Sequence, residues 1–220
     1  MTRPPTLPPG GLHLWRIRTG SNGTPLRELW PLLSPQESER ARRLRFDRHR
    51  ERYIRAHAGL RSILSGYIDS KPQALVFKYV GTGKPLLASK SSGLDFNLTT
   101  SGDLALVGVS LDEPIGVDCE QVRELDNILG IARKMFTPEE ASRIAAAAKD
   151  ERLGRFHIAW TALEAEVKAD GRGLIHRKSP ATYCSCQVRH CVPECGFIAA
   201  VARKELPSVK DWVTLELTAG

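Results

Sequence analysis

The run LALVGVSLDEPIGVDCE, residues 104–120, constrains the fold more than any other stretch. Its Leu, Val and Ile residues mark buried strand in the middle of a globular domain. It nevertheless ends on two carboxylates, Asp118 and Glu120. Side chains alternate faces along a strand, so these acids share one side and Cys119 takes the other. Adjacent acids repel. Either the strand end has one wet face, or the pair belongs to a divalent-cation site that draws further ligands from elsewhere in the chain.

Around this run, LHLWRI reads as an opening strand. Ser34-Pro35 then starts a helix, with serine as cap and proline at the first helical position. The helical pattern continues through PQESERARRLRFDRHRERYIRAHAGLRSILSGYI in one or two pieces. Leu44, Tyr53, Leu60 and Leu64 are its expected core residues, and its arginines line other faces. ALVFKYV is a further strand, and GTGKP a turn whose glycines let the backbone come close to another group. DFNLTTSG and DLALVGVS supply loop and strand. Helices are expected over Leu125–Met135 and Thr137–Ala147, the second opened by TPEE with its cap, proline and acidic N3 residue. A third covers about Glu151 to Ala169 and ends at Gly171; TYCSCQVR, GFIAAVA and WVTLELT read as late strands. Helices and strands mix in both halves without regular βαβ alternation, which predicts an α+β fold.

The formal charge of +7 on 220 residues favours an acidic partner. Nucleic acid fits poorly: ESERARRLRFDRHRER mixes acids among its bases and carries few aromatics, a weak stacking platform. No stretch is long and apolar enough to cross a bilayer. MTRPPTLPPGG lacks the apolar centre of a secretory signal, and residues 1–10 read as a Pro-rich, poorly ordered lead-in. Five cysteines, an odd number, then suggest reduced thiols in the cytoplasm rather than a disulfide frame. Cys184, Cys186, Cys191 and Cys195 crowd together with His190, but without the paired Cys-x-x-Cys knuckles of common zinc sites. Packing as small hydrophobes explains them without a metal.

RFHIAWTALEAEVKADGRGL carries a third acid. Phe156, Trp160, Leu163 and Val167 form one apolar stripe at helical spacing. Glu164 and Lys168, four apart, are neighbours beside that stripe. A solvated helix pair is the plain reading. Brought near Asp118 and Glu120, Glu164 would instead complete an oxygen-rich site for a hard cation that also takes phosphate oxygens.

GVDCE, followed some forty residues later by WTALEAEVKADGRGL, resembles the signature of surfactin-type 4′-phosphopantetheinyl transferases. The Arg-rich segment ending HAGLR, the turn GTGKPLL, and FNLTTSG match further family motifs in the same order. The resemblance spans about residues 30–205. It implies a monomer of two similar α+β lobes, each a helix packed on a small, mostly antiparallel sheet, with coenzyme A between them. The boundaries expected are 11–112 and 113–220. The implied activity moves the phosphopantetheine arm of coenzyme A onto a serine of an acyl or peptidyl carrier protein and leaves adenosine 3′,5′-bisphosphate. On this resemblance Asp118, Glu120 and Glu164 bind Mg2+ or Mn2+, Glu164 is the candidate general base, and Lys168 contacts the phosphates. Gly83, Lys84 and Pro85 lie along the nucleotide, Arg48 near its 3′-phosphate, and Thr99 and Thr100 beside the phosphates; Asp118 also belongs to the coenzyme A site.

Two departures stand out. The family usually has histidine at the position of Thr100 and lysine at that of Leu163. Threonine donates a hydrogen bond but carries no charge, and leucine offers a phosphate nothing. These losses favour a transferase whose clamp is rebuilt from nearby arginines; the alternative is a relative that binds coenzyme A or a carrier protein without chemistry. His57 is expected to pack within its helix. Val122, Leu125, Ile128 and Leu129 form either a docking patch for an acidic carrier protein or part of the core.

Overall fold

Ser34 starts the first long helical segment as its neighbours predict. Its hydroxyl accepts from the Glu37 amide, while the Glu37 carboxylate accepts from the Ser34 amide. This reciprocal cap satisfies two backbone donors that the first helical turn leaves free. The computed structural model describes residues 3–21, 23–80, 83–88, 93–171 and 186–217. In it the segment divides into α2, Pro35–Arg43, and α3, Asp47–Ile68, after a short α1, Leu26–Leu29.

Strands β1 (Leu12–Arg18), β4 (Leu94–Ser101), β5 (Leu104–Leu111) and β9 (Val213–Glu216) form one sheet in the order β4-β5-β1-β9. The β1–β9 contact is parallel and the others antiparallel. Strands β6 (Gly116–Gln121), β7 (Gln187–Cys191) and β8 (Phe197–Arg203) form an antiparallel sheet in the order β6-β8-β7. β2 (Phe77–Val80) and β3 (Lys84–Leu87) make a separate hairpin.

The period-2 pattern of these strands builds a helix–sheet–sheet–helix stack. Trp15, Ile17, Val107 and Val109 face α3 and meet Ala56, Leu60, Ile63 and Leu64. The alternate residues Leu12, Leu14, Leu104 and Leu106 face the second sheet and meet Val117, Cys119, Ala199 and Val201. Beyond that sheet lies α6, Lys149–Asp170, with Ala165 and Ala169 on Ala200 and Ala202. Each fully buried Leu, Val or Ile contributes about 1.5–3 kcal/mol. The α+β class is as expected, with helices on small sheets. The chain passes from the first sheet to the second at residues 112–115, and β9 passes back, so the last strand completes the N-terminal sheet.

Several expectations change. Residues 3–10 do not trail free: Leu7 is buried in the α3 core, and the buried Arg203 guanidinium donates to the carbonyls of Gly10 and Gly11. A buried cation needs acceptors, and the lead-in supplies them. The arginines of α3 are not all outside, since Arg55 and Arg61 are buried. On α6 the stripe splits. Phe156 and Trp160 pack with α4 (Ile128–Met135) and α5 (Pro138–Ala146), whereas the face on the sheet is His157, Thr161, Ala165 and Ala169. Small residues win there because helix and sheet lie close. The end of TYCSCQVR enters β7, Gln187–Cys191; residues 182–185, Cys184 among them, lie outside the described residues.

Candidate active site

A ladder of side chains positions β6. One edge of β6 pairs with β8, and the other turns its amides toward β4. There Asp95 Oδ1 accepts from Ile115 N at 2.9 Å, Asn97 Oδ1 from Val117 N at 2.9 Å, and Ser101 Oγ from Gln121 N at 3.0 Å. Asp95, Asn97 and Ser101 of β4 thus do for three of these amides what a neighbouring strand's carbonyls would do. The same register brings Thr99 Oγ1 to 3.0 Å from Asp118 Oδ1 and Ser101 Oγ to 2.7 Å from Glu120 Oε2. The alternating polar residues of DFNLTTS carried this signal, and sequence reasoning passed over it for Asn97 and Ser101.

Gly116 sets the approach of α6. A Cβ built there would overlap the Ala165 carbonyl oxygen and the Ala169 nitrogen. Only glycine allows the helix backbone to lie directly on β6. The helix therefore presents residues 164 and 168, one turn apart, to the face of β6 that carries Asp118 and Glu120. Lys168 Nζ lies 2.6 Å from Asp118 Oδ1 and 3.3 Å from Thr99 Oγ1.

The electrostatics are those of an under-neutralised site. Asp118 is 4% exposed, and its Oδ2 is buried with no partner. Burial pushes its proton affinity above the ordinary carboxylate value; the Lys168 charge and hydrogen bond oppose this, Glu120 adds to it, and the Thr99 hydroxyl opposes it. Glu164 is raised as well, first by burial, against the pull of Lys168, and further by the charges of Asp118 and Glu120. So α6 and β6 bring three acids within one another's field. Among the described residues, no three His, Cys, Asp or Glu side chains already form a cage for a metal ion. The orphaned Oδ2 and the mutual repulsion of the acids still fit a cation.

Next to this cluster a cleft of about 700 Å3 opens between α2, α3, the β2–β3 hairpin and β4. Ser101 belongs to both, lining the cleft and donating to Glu120. Gly83, Pro85 and Thr100 line it too, and Gly83 has φ of +105° with open space around it, a conformation that suits glycine. Other expected residues stand elsewhere. Lys84 turns away, its ammonium 2.7 Å from Asp95 Oδ1 and 2.9 Å from the Ile115 carbonyl. Arg48 is exposed and off the cleft wall. Thr99 and Thr100 sit on opposite faces of β4, one at the carboxylates and one at the cleft. Among the described residues, the cations on the wall are instead Arg40 and Arg52, with His49 and His57 beside them.

Comparison with known proteins follows the same residues. The 4′-phosphopantetheinyl transferase superfamily profile matches residues 114–200, the span from β6 through α6 to β8. The 4′-phosphopantetheinyl transferase HetI of a Nostoc species is 36% identical over 178 residues, covering 79% of this chain and 75% of that protein. The chain belongs to the 4′-phosphopantetheinyl transferase superfamily. The transferase Sfp of Bacillus subtilis is 28% identical over 142 residues, 64% of this chain and 62% of its own. The L-aminoadipate-semialdehyde dehydrogenase-phosphopantetheinyl transferase of Xenopus laevis is 25% identical, with 73% and 57% covered.

In this transferase the two departures from the family pattern have different settings. Thr100 is exposed on the cleft wall, where a larger polar side chain has room. Leu163 is 3% exposed, a core residue of α6. His57 stacks on Tyr53 of its own helix with ring centroids 4.0 Å apart, but its Nδ1 also lies 3.4 Å from Glu37 Oε1 on α2, and the ring lines the cleft. Leu125, Ile128 and Leu129 pack half-buried against Ala132, Ala141, Ile144 and Phe156. They are committed to the helical cluster rather than left as a free patch.

Proposed function

We propose that this transferase moves the 4′-phosphopantetheine arm of coenzyme A to a serine of an acyl or peptidyl carrier protein. Asp118, Glu120 and Glu164 hold Mg2+, or Mn2+ in its place, and Lys168 meets the diphosphate. The observation that carries this reading is the convergence of β6 and α6. Asp118 and Lys168 lie 2.6 Å apart, and Glu164 is raised first by burial, against Lys168, and then by the charges of Asp118 and Glu120. The serine oxygen bonds to the phosphorus on the pantetheine side, and the P–O bond to the other phosphate breaks, releasing adenosine 3′,5′-bisphosphate. Glu164, held partly out of water, takes the serine proton. Lys168 neutralises charge that grows on the phosphoryl oxygens. A divalent cation at these carboxylates, when bound, supplies further neutralisation of the diphosphate.

The cleft supports the nucleotide end. Arg40 and Arg52 give it charge-assisted donors, and Gly83 lets backbone approach closely. They replace the clamp that Thr100 and Leu163 do not supply. The net charge of +7 would steer in an acidic carrier protein, and long-range attraction chiefly raises the association rate. Among the described residues no helix is long and apolar enough to cross a membrane. Cys119, Cys191 and Cys195 are free thiols, which supports work in the reducing cytoplasm. The test is to incubate the protein with coenzyme A, Mg2+ and a panel of unmodified carrier proteins and to follow carrier mass. Addition of one phosphopantetheine arm, lost in Asp118→Asn and Glu164→Gln, is expected. Tight coenzyme A binding with no carrier modified would instead assign a binding module.

A further inference from the structure

Asp118, Glu120 and Glu164 have one ion-pair partner among the described residues, the Lys168 ammonium on Asp118. That contact is unequal. The Asp118 side chain is 5% exposed and tied to β6, whereas Lys168 is 27% exposed and sits in the last turn of α6 on a flexible stem. A carboxylate buried this deeply is costly without a counter-charge. Thr99 Oγ1 bridges the pair, 3.0 Å from Asp118 Oδ1 and 3.3 Å from Nζ, so Asp118 keeps a hydrogen-bond donor if the ammonium leaves. Its second oxygen, buried and unpartnered, shows that Lys168 alone does not satisfy it.

We propose that Lys168 is the standing counter-ion of Asp118 in the metal-free protein and competes there with the divalent cation. Arrival of the cation then releases the ammonium from Asp118 toward the diphosphate. The inference rests on the transferase reading for the identity of the diphosphate, but the competition itself belongs to Asp118 and Lys168. Its consequence is linkage: cation and coenzyme A favour each other's binding, and part of that coupling resides in one side chain. Lys168 is then a positioning residue for the metal as well as a phosphate contact.

The test uses Mn2+ as the probe, in the absence of coenzyme A, on the wild type, Lys168→Met, Asp118→Asn and the double variant. Mn2+ affinity is read by titration, and thermal unfolding is followed in chelator and in Mn2+. Lys168→Met should bind Mn2+ about tenfold tighter or more, since a like charge has left the site. In chelator it should unfold about 4–10 °C lower than wild type, because Asp118 is left unpaired. Mn2+ should restore that loss, and the added Asp118→Asn should restore it without metal. Unchanged or weaker Mn2+ affinity in Lys168→Met, or unchanged stability in chelator, would overturn the proposal. If no variant binds Mn2+ while the wild type still modifies a carrier, the counter-ion proposal fails and the transferase reading survives. If Mn2+ binding tightens as stated while no carrier is modified, the reverse holds.

Discussion

Two buried carboxylates, one in each helix-on-sheet layer, meet a cation from a 22-residue helix, and they end in opposite states. Glu37, 3% exposed, is saturated. Arg61 Nε donates to Oε2 at 2.6 Å, Ser34 N donates to the same oxygen at 2.7 Å, and His57 lies at Oε1. Arg61 in turn donates to the carbonyls of Pro72 and Leu75. Burial alone would raise Glu37, but the hydrogen bonds of His57, Arg61 and Ser34 and the Arg61 charge hold it at about 2. Asp118 has a comparable ion pair, yet it is raised, with one oxygen orphaned and two further acids nearby. Completion of a buried pair serves structure; incompleteness leaves a place for a ligand.

The largest expected effect lies on the complete side. Glu37→Ala strands a buried guanidinium and should cost about 3–5 kcal/mol in urea unfolding. A loss below about 1 kcal/mol would deny the pair its structural role. The sign with pH is fixed as well. The folded value, about 2, lies below the ordinary 4.5, so Glu37 stabilises fully above about 4.5 and less as pH falls toward 2. The urea midpoint of wild type should drop across that window more steeply than that of Glu37→Gln.

On the incomplete side the effects reverse. Asp118→Asn should leave stability within about 1 kcal/mol of wild type, yet lower transfer by about 10²–10³-fold in the carrier mass assay. An equal loss of stability and activity would make the two pairs alike. Leu163→Lys places a charge in a packed face and should destabilise by about 2 kcal/mol or more in thermal unfolding. Restoring the family's lysine there therefore does not rebuild a clamp, whereas Thr100→His on the open cleft wall should be tolerated. Smallest is Arg52→Ala. Its pair with the exposed Asp103 contributes about 0–1 kcal/mol to stability. Its loss should weaken coenzyme A binding about tenfold in calorimetry; unchanged affinity would remove Arg52 from the nucleotide site.

Much of this contrast was legible in the sequence. The alternation in GVDCE placed Asp118 and Glu120 on one face, and Ser34-Pro35 announced its helix. Gly171 ended α6 in the left-handed conformation, with φ of +72°. Glu164 and Lys168 were readable as neighbours because helical spacing is local. What escaped depends on contacts far apart in sequence. Arg61 reads as a surface arginine until Glu37 and the carbonyls of Pro72 and Leu75 are seen around it. Lys84 reads as a nucleotide contact until Asp95 claims it. Arg52, rather than Arg48, lines the cleft because it lies one turn, about 6 Å, farther along nearly the same face of α3. β9 gave no sign of its partner, since parallel pairing with β1 joins the two ends of the chain.

In the proposed mechanism Asp118, Glu120 and Glu164 await a cation that Lys168 only partly replaces. Anomalous diffraction from crystals grown with Mn2+ and coenzyme A tests it most directly. One manganese peak ligated by Asp118 and Glu120 beside Glu164 is expected, with Lys168 moved from Asp118 to the diphosphate. A peak elsewhere, or Lys168 still on Asp118 Oδ1 with the diphosphate bound and no metal at the carboxylates, would contradict it.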